Sequence, residues 1–264
     1  YLDLVALFAP ITKWSKQIVQ PNSTPEIVRK AFKIAQTEKP GAVHINVPEN
    51  VAAMPATAQL LRTNHLDRVY AAFDSIERAA TAIAQAQNPA VLVANGAMRR
   101  HAREAVTEFA TQLNLPVANT FMGKGVIPYT HPLALWAVGL QQRDYISCGF
   151  ARTDLVIAMG YDLIEYSPKK WNPTGAIPIV HIAPIPAEID SSYLPLVEVV
   201  GDISDSLREI LQRCDRTGKP DPHALSLRTA IRENYAQYAE DTGFPIRPQK
   251  LIYDLRQILA DEDL

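Results

Sequence analysis

The sequence has little of what marks the specialised classes of protein. Its two cysteines, Cys148 and Cys214, are too few and too isolated for a disulfide framework or a zinc cluster. That favours a reducing compartment, read here as the cytoplasm. No apolar run approaches the roughly 20 residues of a membrane span. The first ten residues, YLDLVALFAP, lack the basic start and small-residue cleavage site of a signal peptide. They also lack an initiator Met and open inside an apolar stretch, so the start reads as cut. Charge of one sign is missing too: 26 Lys and Arg stand against 28 Asp and Glu, a formal net charge of −2. This gives no electrostatic case for nucleic acid or an anionic membrane as partner. There is no internal repeat and no low-complexity tract.

Most reaction signatures are absent. GxSxG, HExxH, CxxC and GxxxxGK do not occur. Gly123-Lys124-Gly125 opens like a dinucleotide fingerprint, but Pro128 stands where the third glycine should allow close helix–strand packing, so the fingerprint fails. The six histidines are scattered. His44 and His181 sit inside apolar strands and read as satisfied core or edge residues, since neither has a base-orienting partner in view.

What is present is an ordinary globular mix, 47% hydrophobic and 20% charged over 264 residues, enough for one large or two modest domains. Thr24-Pro25 supplies an N-cap and a proline at the first helical position, ahead of a helix with Ile27, Val28, Ala31, Phe32 and Ala35 on one face. AVHINV (42–47) is a strand stopped by Pro48. The polar stretch 49–74 reads as an interdomain linker. An alternating block follows: a helix over 75–87, strand 90–94, a helix over 100–113 and strand 115–119. Then come a Gly-rich loop, a helix near 143–150, strands 154–159, 178–182 and 196–200, and a helix over 203–214. Short apolar strands alternating with helices predict an α/β fold, a doubly wound parallel sheet covered on both faces. Right-handed crossovers put the strand carboxyl ends on one edge, where ligands bind. Gly96, Gly160 and the loop 120–125 fall on that edge. A second linker near 216–222, a mostly polar helix near 223–240 and a helix over 249–260 complete the chain.

Three stretches stand out for chemistry. In TFMGKG (120–125) two glycines let the backbone approach a ligand and Lys124 is able to meet an anion; a tight turn with a solvated lysine is the alternative. In MGYDLIEYSPKKWN (159–172), Asp162, Glu165 and Tyr166 follow the strand-ending Gly160; the alternative is a plain loop with Trp171 as packing anchor. LQQRDY (140–145) is a polar cluster after Gly139. None holds a nucleophile–base pair, so no catalytic and no metal-ligating residue is assigned.

These stretches carry a resemblance. APITKWSKQI (9–18), TPEIVRKAFKIA (24–35), KPGAVHINVPENV (39–51), TFMGKG, AVGLQQRDY (137–145), DLVIAMGYDLIEYSPKKWN (154–172) and VVGDI (199–203), in that order, resemble acetolactate synthases. These are thiamine diphosphate enzymes that join two pyruvates with loss of CO2. GYDLIEYSPKKWN is more similar to the catabolic, flavin-independent branch than to the biosynthetic one. The resemblance implies a Rossmann-like central domain over 75–215. It also implies the end of a pyrimidine-binding domain over 1–52 and the start of a pyrophosphate-binding domain over 246–264, with linkers 53–74 and 216–245 between. It places the cofactor-activating glutamate upstream of Tyr1, and the GDG…N motif for Mg2+ and diphosphate downstream of Leu264. The fragment alone is then expected to be inactive. Gly201-Asp202-Ile203 is not that motif.

The same resemblance implies thiamine diphosphate and Mg2+ as cofactors of the full-length enzyme, pyruvate as its substrate and a homo-oligomer as its state. Gln141, Gln142, Arg143 and Asp144 are placed nearest the substrate channel. The biosynthetic branch binds FAD in its central domain, and the matching positions are Asn95, Gly96, Ala97, Thr120, Phe121, Gly139, Leu140, Gly160 and Tyr161. However, that branch's GMHG and GARFDDR stretches are replaced by VGLQQ (138–142) and GYDLIEY (160–166). The arginine and histidine expected near a flavin are missing, with charge-assisted contacts worth about 1.5–3 kcal/mol each. Weak or no FAD binding is expected. Two other readings stay open: another thiamine diphosphate carboligase or decarboxylase, or a non-catalytic nucleotide-binding or assembly module on the same fold.

Overall fold

A computed structural model of the chain describes residues 2–62, 67–139, 149–218 and 222–260. It divides into two compact units, Tyr1–Arg68 and Val69–Leu264.

In the first unit, α1 (Leu4–Phe8), β1 (Trp14–Gln17), α2 (Thr24–Gln36), β2 (Val43–Asn46) and α3 (Glu49–Ala52) follow in order. β1 and β2 pair in parallel, Trp14 opposite Val43 and Gln17 opposite Asn46. Lys13 fastens the return from α2: its Nζ donates to the carbonyls of Ile34, Thr37 and Lys39 at 2.8, 2.6 and 2.7 Å. A cation is favoured there, where the last turn of a helix leaves carbonyls unpaired. His44 is satisfied as expected, stacked 4.2 Å from the Phe8 ring and bonded through Nδ1 to Ser15 Oγ at 2.9 Å. The expected cap is corrected: Thr24 is the first helical residue and Ser23 the N-cap, with no side-chain cap bond. A 3₁₀ turn over Pro21–Ser23 has already brought the backbone to the helical region before Thr24, so the helix continues that turn.

The second unit is the α/β block. Its elements are α4 (Phe73–Gln85), β3 (Pro89–Val93), α5 (Asn95–Arg99), α6 (Arg103–Leu113), β4 (Val117–Asn119), β5 (Ala134–Ala137), β6 (Leu155–Met159), β7 (Ile179–Ala183), β8 (Pro195–Val200), α7 (Ile203–Leu211), α8 (Pro222–Ala236) and α9 (Pro248–Ile258). Among the described residues, six strands form one sheet in the order β5-β4-β3-β6-β7-β8, all neighbours parallel. The chain winds outward from β3 to β5, returns, and winds the other way from β6 to β8. The reversal lies between β3 and β6, which makes their carboxyl ends the switch point of a doubly wound sheet.

Side-chain alternation splits the core in two. Leu155, Ile157 and Met159 of β6 join Ile83, Phe109 and Leu207 from α4, α6 and α7 on one face. Val156 and Ala158 face the other way, where Tyr161, Tyr166, Trp171, Tyr193 and Phe150 cover the sheet together with Ala224 of α8. One face is therefore helical; loop aromatics supply much of the second. Buried aromatics of this size remove about 150–250 Å² each from water, which is how a loop substitutes for helices.

Several elements differ from the sequence expectation. β1 (WSKQ) and β5 (ALWA) were not expected. A separate short α5 precedes α6, parted from it by His101 at φ +52. The helix expected near 143–150 falls mostly outside the described residues; a 3₁₀ turn covers Phe150–Arg152. No helix among the described residues is long and apolar enough to cross a membrane.

Candidate ligand crevice at the switch point

The carboxyl ends of β3, β4 and β6 are knitted by backbone bonds. Ala94 N donates to Met159 O at 3.0 Å, Gly96 N to Gly160 O at 3.0 Å, Thr120 N to Val93 O at 2.8 Å, and Gly160 N to Ile182 O at 2.8 Å. Gly160 has φ +61, and a Cβ there would stand 2.3 Å from Ala97 N; a Cβ on Gly96 would stand 2.6 Å from Gly160 Cα. Both glycines are required by this approach of one loop backbone to another. Gly123 lies under the same edge, where a Cβ would meet Val93 O at 2.5 Å.

Glu165 is the side chain that joins the three loops. Its Oε1 and Oε2 accept from Asn95 N at 3.0 and 3.4 Å, and Oε2 accepts from Thr120 Oγ1 at 2.5 Å. Asp162 Oδ1 accepts from Ile164 N at 3.0 Å and turns the loop before it. Burial holds the Glu165 carboxyl above the usual carboxylate range. The bonds from Thr120 and Asn95 pull it down, Asp162 pushes it up and Arg99 pulls it down.

The structure brings Asn95, Gly96, Ala97, Thr120 and Gly160 together at this edge. Ala97, Thr120 and Gly160 are buried. Tyr161 starts there but turns its ring into the sheet. Its hydroxyl donates to Tyr166 O and accepts from Trp171 Nε1 at 3.3 Å, and its ring stacks 5.0 Å from Tyr193. Burial pushes its phenol, and that of Tyr193, well up. Trp171, 1% exposed, is the packing anchor of this loop, as the plain-loop alternative had it. His181 is satisfied as expected, Nδ1 at 2.7 Å from Tyr193 Oη and Nε2 at 3.2 Å from Ile185 O.

Phe121 projects outward, half exposed, and Lys124 Nζ lies 4.9 Å from its ring centroid. Gly139 follows β5, three strand positions from β6, roughly 14 Å at ordinary strand spacing. Leu140, Gln141, Gln142, Arg143 and Asp144 lie outside the described residues. Among the described residues no group of three or more His, Cys, Asp or Glu is placed to hold a metal ion. In VVGDI, Gly201 lets the chain at Ala71 pass close above β8, where a Cβ would be 2.5 Å from Ala71 N. Asp202 caps α7 by accepting from Asp205 N at 3.1 Å. Sequence reasoning named Glu165 within the stretch 159–172 that stood out for chemistry but gave it no role; its place as the link between the loops was missed. The available signal was a carboxylate shortly after the glycine that ends a buried strand at the switch point.

The family model for the central domain of thiamine pyrophosphate enzymes matches residues 76–210. An acetolactate synthase of Bacillus subtilis is 33% identical across 98% of this chain and 42% of its own length. A catabolic acetolactate synthase of Raoultella terrigena is 28% identical across 100% of this chain and 47% of its own. A solved structure from Mycobacterium smegmatis, titled as a candidate thiamin diphosphate-dependent enzyme, superposes with a TM-score of 0.69 at 22% identity. It covers 84% of this chain and 42% of that one. The chain spans about half the length of the curated relatives it matches.

Proposed function

Since this chain belongs to the thiamine pyrophosphate enzymes, whose central domain it carries over 76–210, we propose that it is the middle part of an acetolactate synthase of the catabolic, flavin-free kind. The longer protein condenses two pyruvates to 2-acetolactate and releases CO2. The observation that carries this reading is similarity across nearly the whole chain, flanks included, to named acetolactate synthases. On this reading residues 1–52 end a pyrimidine-binding domain, 75–215 form the central domain and 246–264 open a pyrophosphate-binding domain, joined by 53–74 and 216–245. Thiamine diphosphate supplies the electron sink when bound. Its contacts, and those of Mg2+, belong to the flanking domains. Gln141, Gln142, Arg143 and Asp144 belong to the wall of the substrate channel, and the protein works as a cytoplasmic homo-oligomer. The central domain contributes position and shape rather than a catalytic group.

FAD does not suit the described residues. The Asn95 N–H and the Thr120 hydroxyl, at the loops where a dinucleotide would sit, are engaged by a carboxylate, and the Tyr161 ring is committed to the core. The reading is tested by expressing the complete reading frame and supplying thiamine diphosphate, Mg2+ and pyruvate. Acetolactate, read as acetoin after acid treatment, is expected without added FAD. The 264-residue chain is expected to make none. Acetaldehyde as sole product would mean a decarboxylase, and a reading frame ending near Leu264 would overturn the enzyme reading.

A further inference from the structure

We propose that Glu165 is the resident occupant of the switch-point crevice: its carboxylate takes the donors that a dinucleotide's diphosphate would need and so closes the domain to flavin and nicotinamide dinucleotides. Open α/β sheets take their ligands outside the strand carboxyl ends where the winding reverses. Here that place lies between β3 and β6, and two polar donors at it, Asn95 N–H and Thr120 Oγ1, end on the two oxygens of Glu165.

The carboxylate is held rather than merely near. On its amino side the Asp162 turn fixes the loop. On its carboxyl side Tyr166, 2% exposed, is buried in the aromatic core, and its carbonyl receives the Tyr161 hydroxyl. The loop cannot lift from the crevice without dragging Tyr166 out of that core. The floor is fixed as well. Gly96 and Gly160 meet backbone to backbone, which holds the loops after β3 and β6 against each other beneath the carboxylate. An incoming diphosphate would also face the like charges of Glu165 and Asp162, with Arg99 the cation felt at Glu165. A segment that had only to turn would not need an acid bridging two loops 70 and 45 residues away in sequence.

This inference rests on the flavin-free reading and adds the group responsible for it. The test uses the complete reading frame, wild type and the variants E165A and E165Q, with amide hydrogen exchange resolved at Asn95. Removing the carboxylate is expected to speed exchange at Asn95 about tenfold, the loss of one charge-assisted hydrogen bond, while Val91 and Leu92 of β3 stay protected. E165Q keeps an oxygen acceptor and serves should E165A fail to fold; Asn95 is expected to exchange faster by a smaller factor. In parallel, wild type and the folded variant are titrated with ADP and with FAD at millimolar concentration. No saturable binding is expected of wild type, measurable binding is expected of the variant, and a variant that binds no better than wild type overturns the role of Glu165. Unchanged exchange at Asn95 in the variant that folds overturns the role of Glu165 while leaving the flavin-free reading intact. Saturable ADP or FAD binding by wild type, with altered exchange at Asn95, overturns both.

Discussion

The backbone N–H of Gly96 donates to the carbonyl of Gly160 at 3.0 Å, and no side chain fits at either residue. This contact joins the loops after β3 and β6, the two strands between which the sheet reverses its winding. A methyl group at residue 160 meets two separate objections. The residue has φ +61 and its Cβ would lie 2.3 Å from Ala97 N. The left-handed backbone costs an L-residue about 1–2 kcal/mol, and forcing atoms into a filled site costs about 1–3 kcal/mol more. G160A is therefore expected to lose stability by the sum of these, read as a lower urea midpoint with an unchanged slope. A midpoint equal to wild type would show that the loops part easily.

His181 and Tyr193 make a second pair with a measurable consequence. Burial holds the imidazole below its ordinary range; the bond to Ile185 O and the charge of Glu198 only partly offset this. The unfolded chain, with histidine near its usual value of about 6.5, takes up the proton first as pH falls. The stability that neutral His181 contributes is present above that value and is lost on acidification through the lower folded value. Wild type is expected to lose more thermal stability between neutral pH and about pH 5 than H181Q does. Parallel curves would place the proton elsewhere.

The limits of sequence legibility follow from the range of the interactions. Buried strands such as AVLVA and PIVHI announce themselves by local apolar runs, and β3, β6 and β7 stand where those runs predict. β5 is only ALWA, with a register shift against β4 and Trp136 at φ +65, so its four residues show no alternation to read. β1 is WSKQ, with polar residues inside a two-stranded sheet. The loop 120–125 and Gly160 were legible as edge features because glycine after a strand has a local meaning. Glu165 was legible as a polar residue after that glycine, but its bridging role was not, since its partners are 70 and 45 residues upstream and no periodicity reports a contact of that range.

Arg228 makes a third prediction, on the outer edge of the sheet. Its guanidinium is buried on α8, donates to Ala134 O, and reaches Tyr129 O at 3.4 Å and Thr130 O at 3.5 Å. It also lies 4.9 Å from the Trp136 ring centroid. The acceptors belong to edge strand β5 and the turn before it, so one side chain fastens α8 to that edge. R228M keeps the apolar stem and removes the donors, leaving the buried Ala134 carbonyl without this partner at about 1–3 kcal/mol. A lower denaturation midpoint and an altered Trp emission are expected. Wild-type values for both would mean that α8 is held by its apolar contacts alone.

Glu165 titrates in the opposite sense to His181, and the contrast can be measured in one protein. Burial is the largest influence on its carboxyl and raises it above the ordinary range. As pH falls the folded chain therefore takes up this proton before the unfolded chain, whose glutamate sits near about 4.3. The contribution of Glu165 to stability is full below that value and is lost as pH rises through the raised folded value. Acidification is expected to improve wild type relative to E165Q, whose carboxamide does not titrate, while the same acidification weakens wild type relative to H181Q. The measurement is thermal melting of the three proteins across the acidic range. If the wild-type advantage over E165Q shrinks on acidification, the hydrogen bonds from Asn95 and Thr120 outweigh desolvation, and the carboxylate is held as a stabilising anion rather than a strained one.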